Sequence, residues 1–162
     1  MSEKEQFLRT WEREFPTTLK VLNAYPSARM DLKPHAKSKT ARDLAWNFVL
    51  EEMIIDGAIK GEIDFAQMAA TPPATRDEII RAYEASHRAL IEKVRSTPDA
   101  ELNKTVKWFV GPKQPADVRR MDVLWAALMD MVHHRGQMSV YLRMADGKVP
   151  SIYGPTADEP WM

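Results

Sequence analysis

Residues 124–145, LWAALMDMVHHRGQMSVYLRMA, decide how this chain is read. They form one long helix, apolar around most of its circumference. A single polar line, Asp130, His133, His134, Gln137 and Tyr141, runs through that surface. At about 100° per residue, Asp130, His134, Gln137 and Tyr141 fall within an arc of roughly 60°. A helix apolar on nearly every side is a buried one, and buried polar groups are costly unless they are paired or bound. The pattern predicts a ligand-binding or metal-binding stripe inside a helical bundle.

Proline sets the remaining boundaries. All eleven prolines lie outside three windows, 35–71, 74–97 and 116–149, and proline inside a helix breaks or kinks it. The first helix precedes these windows and is expected from Glu3 to Ala24, with Leu8, Trp11, Phe15, Leu19 and Leu22 at three- and four-residue steps and a bend at Pro16. A basic, proline-bearing loop, 25–39, follows. Thr40 caps the second helix with Asp43 three residues on, and that helix is expected to end near Gly57. Gly61 to Phe65 reads as a loop. Thr75 with Glu78 caps the third helix, which runs to about Arg95. Thr105 to Val110 is strand-like, but one isolated strand cannot build a sheet, so it is read as an extended linker. The fourth helix is expected from Ala116 to Asp146-Gly147, with Gly147 in the left-handed conformation of a helix end. The fold class is therefore all-α, a four-helix bundle in one domain, 1–162, with an ordered tail packed across it.

The composition narrows the function. Lys+Arg and Asp+Glu number 23 each, so no global field attracts nucleic acid or an anionic membrane. Cysteine is absent, which excludes disulfides, thiolate catalysis and cysteine-based zinc sites. The start, MSEKEQ, lacks a signal-peptide pattern, and no apolar run approaches the roughly 18 residues of a membrane span. The expectation is a cytoplasmic protein with neither nucleic-acid nor membrane partners.

Asn47 is the one polar residue in the most apolar part of helix two, between Leu44 and Leu50. An amide there needs partners, and the polar line of the last helix offers them. His133 lies roughly 60° around the helix from Asp130 and reads as a flanking residue. His87, four residues after Tyr83, reads as a hydrogen-bonded core or rim residue; His35 reads as solvated. Arg135 and Gln137 either line the pocket mouth, where a guanidinium could hold a carboxylate or thiol ligand, or, for Arg135, form a structural salt bridge. Tyr141 either donates to a substrate or closes a core edge. The ten methionines and five tryptophans fill the core.

Ala41-Arg42-Asp43-Leu44-Ala45-Trp46-Asn47, His133-His134-Arg135-Gly136-Gln137 with Tyr141-Leu142-Arg143, and the tail Val149-Pro150-Ser151-Ile152-Tyr153-Gly154-Pro155 closely resemble the DinB-like (damage-inducible) family over nearly the whole chain. The resemblance implies a four-helix bundle, commonly a homodimer, that in many members binds a divalent metal through three histidines. One comes from the second helix and two, spaced by four, from the last. Some members of the wider superfamily are metal- and thiol-dependent transferases or isomerases. In this chain the three positions hold Asn47, Asp130 and His134. An aspartate and a histidine four apart suit zinc, manganese, iron or nickel, whereas a neutral amide oxygen is a poor ligand. A closed Asn47–Asp130–His134 hydrogen-bond network is the competing arrangement. Three functions follow: a metal-dependent hydrolase or thiol-dependent transferase, a non-catalytic small-ligand module, or a stress-response structural homodimer.

Overall fold

A computed structural model describes residues 1–162. Four long helices carry the architecture: α1 (Glu3–Ala24), α2 (Ala41–Lys60), α3 (Arg76–Ser96) and, after a short α4 (Asp99–Leu102) and two strands, α5 (Arg120–Met144). Their starts are chemically marked. Ser2 with Glu5, Thr40 with Asp43 and Thr75 with Glu78 each form a reciprocal capping box, in which the hydroxyl accepts from the third backbone N–H and the acid accepts at the cap. Each box satisfies two helix-end donors that would otherwise lack partners. α1 passes through Pro16 without ending.

The long helices form a ring: α2 packs against α5 and α3, and α1 packs against α3 and α5. One continuous core fills the centre, including Phe7, Trp11, Phe48, Ile55, Ile79 and Leu128. Because α2 touches two neighbours, it is buried on nearly every side, and Asn47, Glu51 and Glu52 go inside with the apolar residues.

The structure corrects four expectations about the elements, one of them the end of α2. The segment read as an extended linker is half of a hairpin, so the fold is mostly helical rather than all-α. β1 (Thr105–Gly111) pairs antiparallel with β2 (Gln114–Arg119), with Thr105 opposite Arg119 and Trp108 opposite Ala116. Accordingly α5 begins at Arg120, not Ala116. The left-handed residue after α5 is Asp146 (φ 59°). Gly147 is needed there for a different reason: a Cβ on it would lie 2.2 Å from Leu142 Cδ1.

α2 runs through Gly57 to Lys60 and stops at Gly61, whose φ of 89° and N–H bonds to Gly57 and Ala58 carbonyls make it the helix cap. A Cβ at Gly61 would also meet the Arg120 guanidinium at 2.3 Å. Gly61→Ala is expected to cost about 1–2 kcal/mol. Gly136, inside α5 with open space where a Cβ would stand, should respond oppositely, Gly136→Ala stabilising by roughly 0.5–1 kcal/mol. Denaturant unfolding of both variants checks the pair; shifts of the same sign would contradict this account of the two positions.

The tail crosses the outside of α1 and α5. Lys20 binds Glu159 and the Ser151 carbonyl, Arg143 binds Asp158, and Tyr153 reaches Glu14 and Arg135. No helix is long and apolar enough to cross a membrane.

Candidate metal centre

Two facing helices each contribute a pair of polar residues one turn apart. α2 supplies Asn47 and Glu51; α5 supplies Asp130 and His134. Spacing by four puts both members of a pair on one helix face, and the α2–α5 contact brings the two faces together. Glu51 is buried, its side chain 7% exposed, whereas the Asp130 side chain is 48% exposed, so the group opens outward along α5.

The hydrogen bonds assign a role to each atom. Lys39 Nζ donates to Asn47 Oδ1 at 2.8 Å. That orients the amide so that Nδ2 faces His134 Nε2 at 3.0 Å. An amide nitrogen only donates, so Nε2 accepts; the neutral ring then carries its proton on Nδ1, which faces the acids. His134 Nδ1 lies 3.7 Å from Asp130 Oδ2 and 3.8 Å from Glu51 Oε1, and this buried nitrogen has no hydrogen-bond partner. Those separations are too long for hydrogen bonds. One donor atom from each of Glu51, Asp130 and His134 lies within 4.8 Å of the others. An ion bound at about 2.1 Å to each of three donors sets them roughly 3.0–3.4 Å apart, tighter than the 3.7 and 3.8 Å from Nδ1 to the two acids here.

Electrostatics favour a cation at the same point. Burial, reinforced by a hydrogen bond and repulsion from Asp130, pushes the Glu51 carboxyl up to about 9. A divalent ion between the two carboxyl groups would relieve that repulsion. Burial lowers the His134 pKa; Asp130 opposes that effect, while Lys39 and His133 add to it. A neutral imidazole is the form that ligates metal. With the ring proton moved to Nε2 and the Asn47 amide turned to accept it, Nδ1 and the two carboxylates make a set that fits a divalent metal of the manganese, iron or zinc kind.

The remaining polar residues of α5 divide between two sides of the helix. Gln137 Nε2 meets His133 Nε2 at 3.0 Å on the exposed rim. Tyr141 donates to the Lys39 carbonyl at 2.9 Å, pinning the loop that carries the lysine. His134, Gln137, Tyr141 and Lys39 line one cavity of about 440 Å³; Glu51, Asp130, His133 and Trp108 line another of about 410 Å³ on the far side of the imidazole. Arg135 turns away from both. Only 1% of its side chain is exposed, and it binds Glu14 Oε2 at 2.6 Å and Thr18 Oγ1 at 3.2 Å on α1. It is the structural ion pair, not a pocket-mouth residue. His87 is a buried residue on α3.

Asn47, Asp130 and His134 do meet, but the carboxylate that completes the group is Glu51. Asn47 spends its oxygen on Lys39 and its nitrogen on His134, and so supports the imidazole from behind. Glu51 was legible in principle: it lies one turn after Asn47, on the same face of a helix rich in core residues. Its place in a Glu51-Glu52 pair gives it instead the look of a solvated surface.

Comparisons with known proteins accord with this architecture. A family model described as the DinB family matches residues 1–161. The uncharacterised protein YrdA of Bacillus subtilis strain 168 is 27% identical over 160 residues, covering 96% of this chain and 90% of that protein. A crystal structure of a DinB-like protein from Bacillus cereus ATCC 10987 is 25% identical, with a TM-score of 0.76 over 92% of this chain and 97% of that one. That of the DinB-like protein YjoA from Bacillus subtilis superposes with a TM-score of 0.72 at 14% identity, covering 97% of this chain and 99% of that one, a likeness of fold alone.

Proposed function

Since the chain belongs to the DinB family, we propose that it is a metal-dependent hydrolase or thiol-dependent transferase that holds one divalent transition metal between Glu51, Asp130 and His134. The observation that carries this reading is the unpartnered His134 Nδ1 facing the carboxyl groups of Glu51 and Asp130, with one donor atom of each of the three within 4.8 Å of the others. A bound divalent metal supplies Lewis acidity and lowers the pKa of a water or thiol. The protein's own residues do the rest. Asn47 fixes the ring of His134, Lys39 holds Asn47, and Tyr141 holds the Lys39 loop. His133 and Gln137 stand at the rim, where they can orient a small substrate.

Metal content of the purified protein after mild dialysis tests the proposal. About one ion per chain, lost in Asp130→Ala, supports it; metal-free protein whose stability ignores chelator overturns it. Asn47→Ala is expected to weaken metal affinity by about 10–100-fold without abolishing it, since it removes a support and not a donor. Isothermal titration with manganese or zinc measures that ratio, and an unchanged affinity would remove Asn47 from the site.

The Asn47–His134 bond, which needs no metal, favours a second reading: a non-catalytic small-ligand module or stress-response scaffold, although the expected Asn47–Asp130–His134 network is left open at Nδ1. The chelator experiment separates the two. A homodimer is part of either proposal. Met129, Val140 and Met144 are exposed along one line of α5 with Gly136 between them, a face that a second copy would cover. Sedimentation of a Val140→Glu variant tests it: a monomer supports this interface, and an unchanged dimer places it elsewhere.

A further inference from the structure

Two cavities flank the His134 ring, and only one of them reaches the two carboxyl groups. Glu51 and Asp130 line the cavity of about 410 Å³, whereas the one of about 440 Å³, on the Lys39 side, contains neither. A substrate reaching a metal held by Glu51, Asp130 and His134 therefore comes from the first. Part of the wall of that cavity belongs to the hairpin. Side chains alternate across a strand, so Val106 and Trp108 of β1 turn to the same face, Val106 buried and Trp108 half-buried. Phe65 stacks on the Trp108 indole at 6.0 Å between centroids, with the planes 28° apart, which braces the ring.

The chemistry of that wall selects its occupant. Trp108, Ile54, Ala126, Ala127 and Met129 make it apolar apart from the two acids and His133, and neither lysine nor arginine lines it. A carboxylate or phosphate on the body of a ligand would meet no cation there and would share the cavity with Asp130, and an unpaired charge is costly to take out of water. The two alanines leave room, and the face of an indole favours a flat ring. A volume of about 410 Å³ suits a small organic molecule. Resting on the metal reading above, we infer that the centre acts on small uncharged molecules: a flat apolar body packs against Trp108 and Ile54, and one oxygen- or sulfur-bearing head reaches the metal. Trp108 is then the residue that selects substrate. An anionic thiol finds no partner in this wall, which favours hydrolysis over thiol transfer.

Zinc-loaded protein, titrated with three hydroxamates and followed by amide-resolved NMR, tests the site. Acetohydroxamate carries the metal-seeking head alone, benzohydroxamate adds a flat ring, and 4-carboxybenzohydroxamate adds a charge to that ring. Benzohydroxamate should give saturable shifts at Ile54, Trp108 and Ala126 and bind at least about tenfold more tightly than acetohydroxamate. The carboxylated ring should lose about tenfold or more of that affinity. Trp108→Ala should weaken benzohydroxamate by about tenfold and leave acetohydroxamate unchanged. Ala126→Leu narrows the cavity from an exposed helix position and should do the same even if Trp108→Ala fails to fold. Protein that takes up no zinc overturns the metal reading and this one with it. Zinc-loaded protein that binds all three hydroxamates equally, or that keeps its preference for the ring in Ala126→Leu, overturns this one alone.

Discussion

In the presence of chelator, the protein is expected to lose stability steadily as pH rises from about 6 to about 9, with Glu51 contributing a slope near 1.4 kcal/mol per pH unit. Burial and Asp130 raise the Glu51 pKa from 4.5 to about 9 in the folded protein. Between those values the folded state holds a proton that the unfolded state has released. The contribution is therefore complete below the unfolded pKa and is lost as pH climbs toward the folded one. Glu51→Gln removes the ionising group while keeping its shape, and at pH 8 should stabilise the chelated protein by about 3–5 kcal/mol. Glu52, also raised by burial, adds a slope of the same sign that the variant retains. His87, lowered by burial to about 4, acts on the acid side, its contribution present above 6.5 and lost as pH falls through 4. Denaturant midpoints at pH 6 and pH 9 for both proteins check the prediction. Identical pH dependence would mean that Glu51 is not held protonated.

The second large effect lies on the other side of α5. Arg135 and Glu14 form a buried ion pair with Thr18 and Tyr153 around it. Burial pushes the Glu14 pKa up, but bonds from Tyr153 and Arg135 outweigh it, and the carboxyl stays below its ordinary range. Arg135→Met would leave that buried carboxylate with only Tyr153 and the solvent-exposed Arg13 as partners, at an expected cost of about 2–4 kcal/mol. Replacing both, Glu14→Leu with Arg135→Met, should recover most of the loss, because no uncompensated charge remains. Tyr153 joins the pair from the tail, so the single variant should also loosen residues 149–162, seen as faster amide exchange there. A loss below about 1 kcal/mol for Arg135→Met would contradict this account of the pair.

Much of the fold was legible because its signals are local. The capping boxes at Thr40 and Thr75 sit in the sequence where the helices begin, and proline marks the gaps between helices. The hairpin was not legible. Its second strand, Gln-Pro-Ala-Asp-Val-Arg, is polar, largely exposed and carries a proline, and the turn uses Lys113 at φ 57° rather than a glycine or asparagine. Strand pairing there is decided by the neighbouring chain, which no periodicity in either segment records.

The site divides the same way. Asn47, Asp130 and His134 could be singled out because each is polar in an apolar run, and they do converge. Glu51 escaped because a glutamate on a helix ordinarily faces water, and only the double-sided packing of α2 turns it inward. Arg135 misled because it is adjacent in sequence to His134, yet one residue turns a helix by about 100° and aims the guanidinium at α1.

The central claim is a position in space, and a crystal structure of manganese-loaded protein with anomalous diffraction data tests it most directly. The account predicts an anomalous peak on the Nδ1 side of His134, within bonding distance of Glu51 and Asp130, with the Asn47 amide turned so that its oxygen accepts from Nε2–H. A peak on the Nε2 side, or no peak between α2 and α5 at all, would contradict it.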